Sequence, residues 1–240
     1  MSGRATGQVS VEAQRDAALV TCRDVARAYG TGPMAVVAVS GVTCTVRPGA
    51  RIALTGPSGS GKSTLLHLMA GLDTPTSGTL AWPALDGHPL GHPGRVGVIF
   101  QGPSLLPALD ITENVALPLL LADTPENEAA TRARSALDRL AIGDLATKLP
   151  EQLSGGQAQR VAVARVLASR PSLILADEPS GQLDHEAASM VMDVLLQASA
   201  ELGAALVVST HDPVIAERLP VRWTMCDGRM DTAPARAGLS

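Results

Sequence analysis

The chain has 240 residues, 45% hydrophobic and 18% charged, with a formal net charge of −4. That length suits one large α/β domain, or one domain carrying a helical insertion, with an ample core. The charge balance speaks against a surface built to hold nucleic acid, the apolar runs fall short of the roughly 20 residues a membrane-spanning helix requires, and three widely spaced cysteines favour buried reduced thiols over a disulfide framework or zinc site.

Residues 1–18 show no clear period and no apolar leader, so a flexible tail and a cytoplasmic chain are expected. Segments 18–28 and 36–46 read as strands around the turn Gly30-Thr31-Gly32-Pro33. Residues 51–55 form a short apolar strand running straight into Gly56-Pro57-Ser58-Gly59-Ser60-Gly61-Lys62-Ser63. From Lys62 the period turns helical, with Leu65, Leu66, Leu68 and Met69 as a buried stripe and Gly71 as its stop. Strands are expected at 78–82 and 96–100. The four-residue spacing of His88 and His92 would suit a metal on a helix, but Pro89 and Gly91 break any helix there, so both belong to a loop. From 111 to 149 the chain turns helical, most strongly over 126–140. Helix 157–167, strand 173–176, helix 186–202 and strand 204–210 then alternate. Such alternation predicts an α/β fold with a mostly parallel sheet covered on both faces. An N-terminal antiparallel β region and an inserted α-helical subdomain at 102–152 are also expected. The domain should span 19–231, followed by a tail at 232–240.

The loop fits the pattern G-x-x-x-x-G-K-[ST], which arises by chance in a chain this long with a probability on the order of one percent. Its glycines let consecutive N–H groups point inward, and the helix start adds the positive end of its dipole, making a phosphate socket. Lys62, one of only two lysines, should reach the β- and γ-phosphates, and the Ser63 hydroxyl should ligate Mg²⁺. Thr64 is expected to support the α-phosphate. Leu173-Ile174-Leu175-Ala176-Asp177-Glu178 is an apolar strand ending in two carboxylates. An acidic pair often only solvates a strand end, but beside a phosphate loop it suits metal binding and general-base work. Leu153-Ser154-Gly155-Gly156-Gln157 has the form of a capping box, and its double glycine bares helix N–H groups for a second phosphate site.

The glycine loop followed by this pentapeptide resembles the nucleotide-binding subunits of ATP-binding-cassette transporters, over nearly the whole chain from about Leu19 to Met230. The resemblance implies a P-loop NTPase core, ATP and Mg²⁺ as ligands, and ATP hydrolysis. By it, Asp177 holds Mg²⁺ through water, Glu178 polarises the attacking water, and Gln101 contacts Mg²⁺ or water and senses the permease. His211, in Ser209-Thr210-His211-Asp212, would contact the γ-phosphate, and Tyr29 would lie against adenine. Ser154, Gly155, Gly156 and Gln157 would bind the γ-phosphate of the nucleotide held by a partner subunit. The loop Ser180-Gly181-Gln182-Leu183-Asp184 would cross the dimer interface with Asp184 as its acid. One chain thus carries two half-sites, completed by a homodimer or a pair with a homologous ATPase. The partner in the membrane is a separate permease, which places the subunit on the inner face of the cell membrane.

Within the family, Leu72-Asp73-Thr74-Pro75-Thr76-Ser77-Gly78, Leu105-Leu106-Pro107, Glu113-Asn114-Val115-Ala116-Leu117-Pro118-Leu119 and the stretch from Asp177 to Asp184 are most similar to the lipoprotein-release, macrolide-export and cell-division branch. Export or extrusion of lipoprotein, peptide or drug is the expected work; mechanical or regulatory action without cargo is the alternative. Ser180 stands where threonine is usual, Ala158 where a polar residue is usual, and segment 81–95 is short; none removes a phosphate or metal contact. Chromosome-maintenance ATPase heads share the signature, but they need a long coiled coil that the interval from Lys62 to Ser154 cannot hold.

Overall fold

The computed structural model describes residues 17–231, apart from Asp86 and Gln182. The expected tail at 232–240, and the one at 1–18 up to residue 16, lie outside the described residues. The chain opens with β1 (Val20–Tyr29) and β2 (Val36–Val46), followed by β3 (Arg51–Thr55), helix α1 (Lys62–Met69), β4 (Ser77–Ala81) and β5 (Val96–Ile99). A helical stretch follows with α2 (Ile111–Leu120), α3 (Glu126–Arg139) and α4 (Gly155–Ala168). Then come β6 (Leu173–Asp177), α5 (His185–Leu202), β7 (Ala205–Ser209), the short α6 (Pro213–Glu217), β8 (Val221–Cys226) and β9 (Arg229–Asp231).

The strands form two sheets. β2, β1 and β4 make an antiparallel three-stranded sheet, and the second runs β5-β6-β7-β3-β8-β9. All its neighbours are parallel except the β8–β9 hairpin. The mostly parallel core is thus as the alternation predicts, and the N-terminal region is antiparallel as expected. Side chains alternate across the sheet, so Ala53, Ile174, Ala176, Leu206 and Val208 face one core with the helices α2 to α5. Ile52, Leu54, Leu173, Leu175 and Val207 face the other, with α1 and the antiparallel sheet. Burying each such aliphatic side chain contributes about 1.5–3 kcal/mol, which is why β6 and β7 are apolar on both faces.

Between β5 and α4, helices α2 and α3 pack on each other and both pack on α4. Asp110 and Glu113 close the start of α2 with a reciprocal capping box. Asn114, fully buried, fixes the preceding loop: its Oδ1 accepts from the Leu106 amide at 2.7 Å, and its Nδ2 donates to the carbonyls of Leu106, Leu109 and Asp110. Arg132 of α3 donates twice to the Ala168 carbonyl at the end of α4, satisfying an orphan helix acceptor. His88 and His92 flank a single 3-10 turn, Pro89–Gly91, whose His88 ring accepts from the Leu90 amide and meets Trp82 edge-on. Because β3, β5, β6, β7 and β8 are parallel, their C-terminal ends share one edge, and the loops leaving that edge are drawn together.

Candidate functional site

At that edge β3 delivers the glycine loop and α1. Gly56, Gly59 and Gly61 have φ of 145°, 77° and 99°, and two are also sterically compelled. A Cβ on Gly56 would lie 2.2 Å from the Met225 carbonyl oxygen, and one on Gly61 would lie 2.0 Å from that of Ala38. β8 and β2 thus clamp the loop from two sides. Gly61 sits at the N-cap of α1 with no side-chain cap, so the first-turn N–H groups of Lys62, Ser63 and Thr64 have no intrahelical acceptor. Nothing lies within 4 Å of a Cβ built on Gly59, while Ser60 Oγ is buried without a hydrogen-bond partner among the described residues. Lys62 is buried, its ammonium donating to the Gly56 and Pro57 carbonyls at 2.9 Å each. A buried cation with two neutral acceptors, below an uncapped helix start, suits a multiply charged phosphate chain.

Asp177 closes β6 on the face of Leu173 and Leu175, the face α1 covers. Its carboxylate is buried and accepts from the Ser209 hydroxyl on β7. Glu178 leaves the strand with φ of 46°, a left-handed conformation unusual for a non-glycine residue. Its N–H donates to the Ser209 carbonyl and to the Ser209 hydroxyl, both at 3.1 Å. Ser209 therefore touches both acids, fixing Asp177 in one direction and the turn of Glu178 in another. Glu178 Oε2 stands 3.2 Å from His211 Nδ1, so the adjacent strand ends bring the two together. Both line one open depression with Gly181 and Leu183. A magnesium ion commonly uses one or two carboxylates plus phosphates and water, so the single buried carboxylate of Asp177 and the exposed hydroxyl of Ser63 fit such an ion beside phosphate.

Ser154 caps α4 as the pentapeptide predicts: the Gln157 amide donates to Ser154 Oγ at 3.2 Å, and Gln157 Oε1 accepts from the Ser154 amide at 2.9 Å. Leu183, from the loop after the acid pair, packs so close that a Cβ on Gly156 would lie 3.1 Å from its Cδ2. Asp184 N-caps α5 by accepting from the Ala187 amide at 2.8 Å, so one of its oxygens has a local structural use. Gln182 lies outside the described residues. Gln101 is exposed just beyond β5. Tyr29 ends β1, half exposed, its hydroxyl donating to Asp73.

Three contributors leave no motif of their own in the sequence. Ser209 opens the stretch Ser209-Thr210-His211-Asp212, and a serine at a strand end carries no sequence signal of its own. Gln159 and Arg165 lie on the inner faces of α4. Gln159 is buried and donates to the Phe100 carbonyl at 3.2 Å. Arg165 donates to the carbonyls of Ser104 at 2.9 Å and Pro103 at 3.3 Å. Burial lowers the Arg165 pKa from its ordinary value. The four-residue pattern of a helix could have flagged polar residues on an apolar face, but not their acceptors.

The ABC transporter family profile matches residues 39–181. The lipoprotein-releasing system ATP-binding protein LolD of Pseudomonas fluorescens is 41% identical over 209 residues, covering 84% of this chain and 92% of that protein. LolD of Pseudomonas syringae pv. tomato is 39% identical over 222 residues, covering 90% and 98%. Among solved structures, the ATP-binding cassette MJ0796 in a dimeric post-hydrolysis state bound to ADP and Pi superposes with a TM-score of 0.82 at 33% identity, covering 89% of this chain and 98% of that one. With the family profile spanning more than half of the chain and relatives near 40% identity matched over almost their full length, the chain belongs to the ABC transporter family, as one of its ATP-binding, ATP-hydrolysing subunits.

Proposed function

We propose that the chain binds MgATP at the α1 edge, pairs with a second ATPase subunit around two nucleotides, and passes that closure to a separate membrane permease from the cytoplasmic side. The observation that carries this reading is the convergence of the buried Lys62 ammonium, the buried Asp177 carboxylate and the Glu178–His211 pair at one sheet edge. In it, residues 19–231 are the ATPase domain, 102–152 its helical insertion, and the loop from Gly56 to Lys62 with Ser63 and Thr64 holds the phosphates. Tyr29 carries the base. Mg²⁺, held by Ser63, Asp177 and Gln101, would neutralise charge on the outer phosphates. Glu178 accepts the proton of the attacking water, and His211 both orients Glu178 and donates toward the γ-phosphate. Ser154, Gly155, Gly156 and Gln157, at a capped helix start whose first two residues are exposed, suit the γ-phosphate presented by the opposite subunit, with Asp184 at the seam. A dimeric cassette among the structural relatives supports the pairing, and relatives named for lipoprotein release support export or extrusion of lipoprotein, peptide or drug.

Glu178→Gln tests this directly, since it keeps size and hydrogen bonding but removes the base. Hydrolysis should slow by roughly 10² to 10⁴ while nucleotide binding survives. The variant should then collect as an ATP-bound dimer, visible by light scattering during size exclusion, and ADP should leave it monomeric. Near-normal turnover in an ATP-dependent dimer would remove Glu178 from its role.

A further inference from the structure

We propose that Arg27 and Asp73 are positioning residues that lock the ring of Tyr29 in place, so that it offers one preformed face to the nucleobase. The proposal rests on the reading of Tyr29 as the base platform. A half-exposed tyrosine at a strand end would ordinarily sample rotamers on the picosecond to nanosecond scale. Here three contacts oppose that freedom. The hydroxyl donates to Asp73 Oδ2 at 2.8 Å. The Arg27 guanidinium stands over the ring, 4.6 Å from its centroid, in a cation–π arrangement. The same guanidinium forks onto Asp73, with Nε to Oδ2 at 2.9 Å and Nη2 to Oδ1 at 2.8 Å. Carboxylate, cation and phenol thus close a triangle in which each member restrains the other two.

The carboxylate at its apex is itself held. The Thr74 amide donates to Asp73 Oδ1 at 2.7 Å. The loop carrying Asp73 is stitched to β1 by Thr76, whose amide donates to the Ala26 carbonyl at 2.8 Å and whose hydroxyl accepts from the Ala28 amide at 3.0 Å. Partial burial pushes the Asp73 carboxyl up, but the bonds from Tyr29, the Thr74 amide and Arg27 outweigh that, so it lies below the usual carboxylate range and stays charged at neutral pH. An isolated surface ion pair would carry little weight. This one differs because a single carboxylate serves three donors from two separate chain segments.

The arrangement also ties the platform to the phosphate socket. Asp73 comes four residues after the end of α1, the helix whose first turn would face the phosphates. Val36, the strand partner of Tyr29, lies two residues before Ala38, whose carbonyl abuts Gly61. Base and phosphate contacts are therefore set by one helix and one strand. With Arg27 on one face of the ring, a single face remains for stacking, and it costs no ordering when the base arrives.

Calorimetric titration of the full chain with ATP and with inorganic tripolyphosphate, which has no base, separates the possibilities. Tyr29→Ala should weaken ATP but not tripolyphosphate. Asp73→Asn, Arg27→Gln and Tyr29→Phe should each weaken ATP roughly two- to tenfold, the loss expected when one side chain must be ordered on binding, and leave tripolyphosphate unchanged. Tyr29→Phe is the telling variant, since it keeps the stacking ring and removes only the bond to Asp73. Adding Asp73→Asn to Tyr29→Ala should cost nothing further, because the two act as a unit. If Tyr29→Ala binds ATP normally, the platform reading itself falls. Should Tyr29→Ala lose affinity while Tyr29→Phe and Asp73→Asn match the parent, the platform stands and the positioning role is refuted. Equal losses for ATP and tripolyphosphate in Asp73→Asn would also overturn it, since the loop would then be acting through α1.

Discussion

Replacing Lys62 with Met keeps the aliphatic stem in its buried slot and removes the ammonium alone. In the chain by itself that ammonium is held by the Gly56 and Pro57 carbonyls at 2.9 Å each. A hydrogen bond to a charged group is worth about 1.5–3 kcal/mol net. Turning toward phosphate, Lys62 must loosen two bonds it already makes, so the lower end applies: about 1.5 kcal/mol, close to a tenfold rise in Kd for MgATP. Fold stability should change little, because the substitution also removes the cost of burying a cation whose acceptors are neutral. Calorimetry with ATP and AMP checks the reasoning. AMP lacks the outer phosphates and should bind both proteins alike. Unchanged ATP affinity would refute the socket, and a parallel fall for AMP would show that Lys62 acts by shaping the loop rather than by touching phosphate.

Ser154→Arg introduces bulk and charge at the exposed start of α4, on a different segment from the glycine loop proposed to hold the chain's own nucleotide. Binding to the monomer should stay within about twofold while hydrolysis is abolished; a parallel fall of binding and turnover would remove the signature from its trans role. Cys44, hydrogen-bonded to Cys22 and buried, has its thiol pushed far above the ordinary range, so above about pH 8.5 the unfolded chain ionises first and stability should fall by up to about 1.4 kcal/mol per pH unit. Urea midpoints between pH 8 and 10 should show that slope in the parent and lose it in Cys44→Ala. Cys226 is exposed, but the charge of Asp227 raises its pKa, so it alone should alkylate in the folded chain, and faster as pH rises.

The glycine loop, the acid pair and the capping box were legible because each is written in consecutive residues whose backbone chemistry is local. Ser154 and Gln157 close their box within four residues, and no distant partner is needed to foresee it. The parallel core was legible for a similar reason, since strands buried on both faces read as unbroken apolar runs. β8, β9 and α6 were not foreseen. In β8 the apolar Val221 is exposed on the same face as buried Trp223 and Met225, which leaves only two buried side chains to show a period, and α6 and β9 are too short for one. Contacts made across the chain were equally silent. Nothing in the neighbourhood of Tyr29 announces that Asp73, 44 residues on, receives its hydroxyl. Ser209 likewise matters only because β7 pairs with β6 in the register that sets it opposite Asp177.

Those long-range contacts also explain how one helix can serve two places. α4 begins at Ser154, the end proposed to meet the opposite nucleotide, and along its length Gln159 and Arg165 hold the backbone on either side of Gln101. The carbonyls gripped belong to Phe100 before that glutamine and to Pro103 and Ser104 after it. A helix is stiff along its axis, so a shift imposed at the Ser154 end is carried to those carbonyls as a rigid displacement rather than lost in side-chain motion. α2 and α3 pack on the same helix, and Leu183, five residues past Glu178, rests on Gly156. Under the proposed closure on a γ-phosphate at Ser154, a displacement there would press on Gln101, on α2 and α3 and on the loop after Glu178 together. The packing thus joins the Ser154 end of α4, the backbone around Gln101 and the two packed helices into one body.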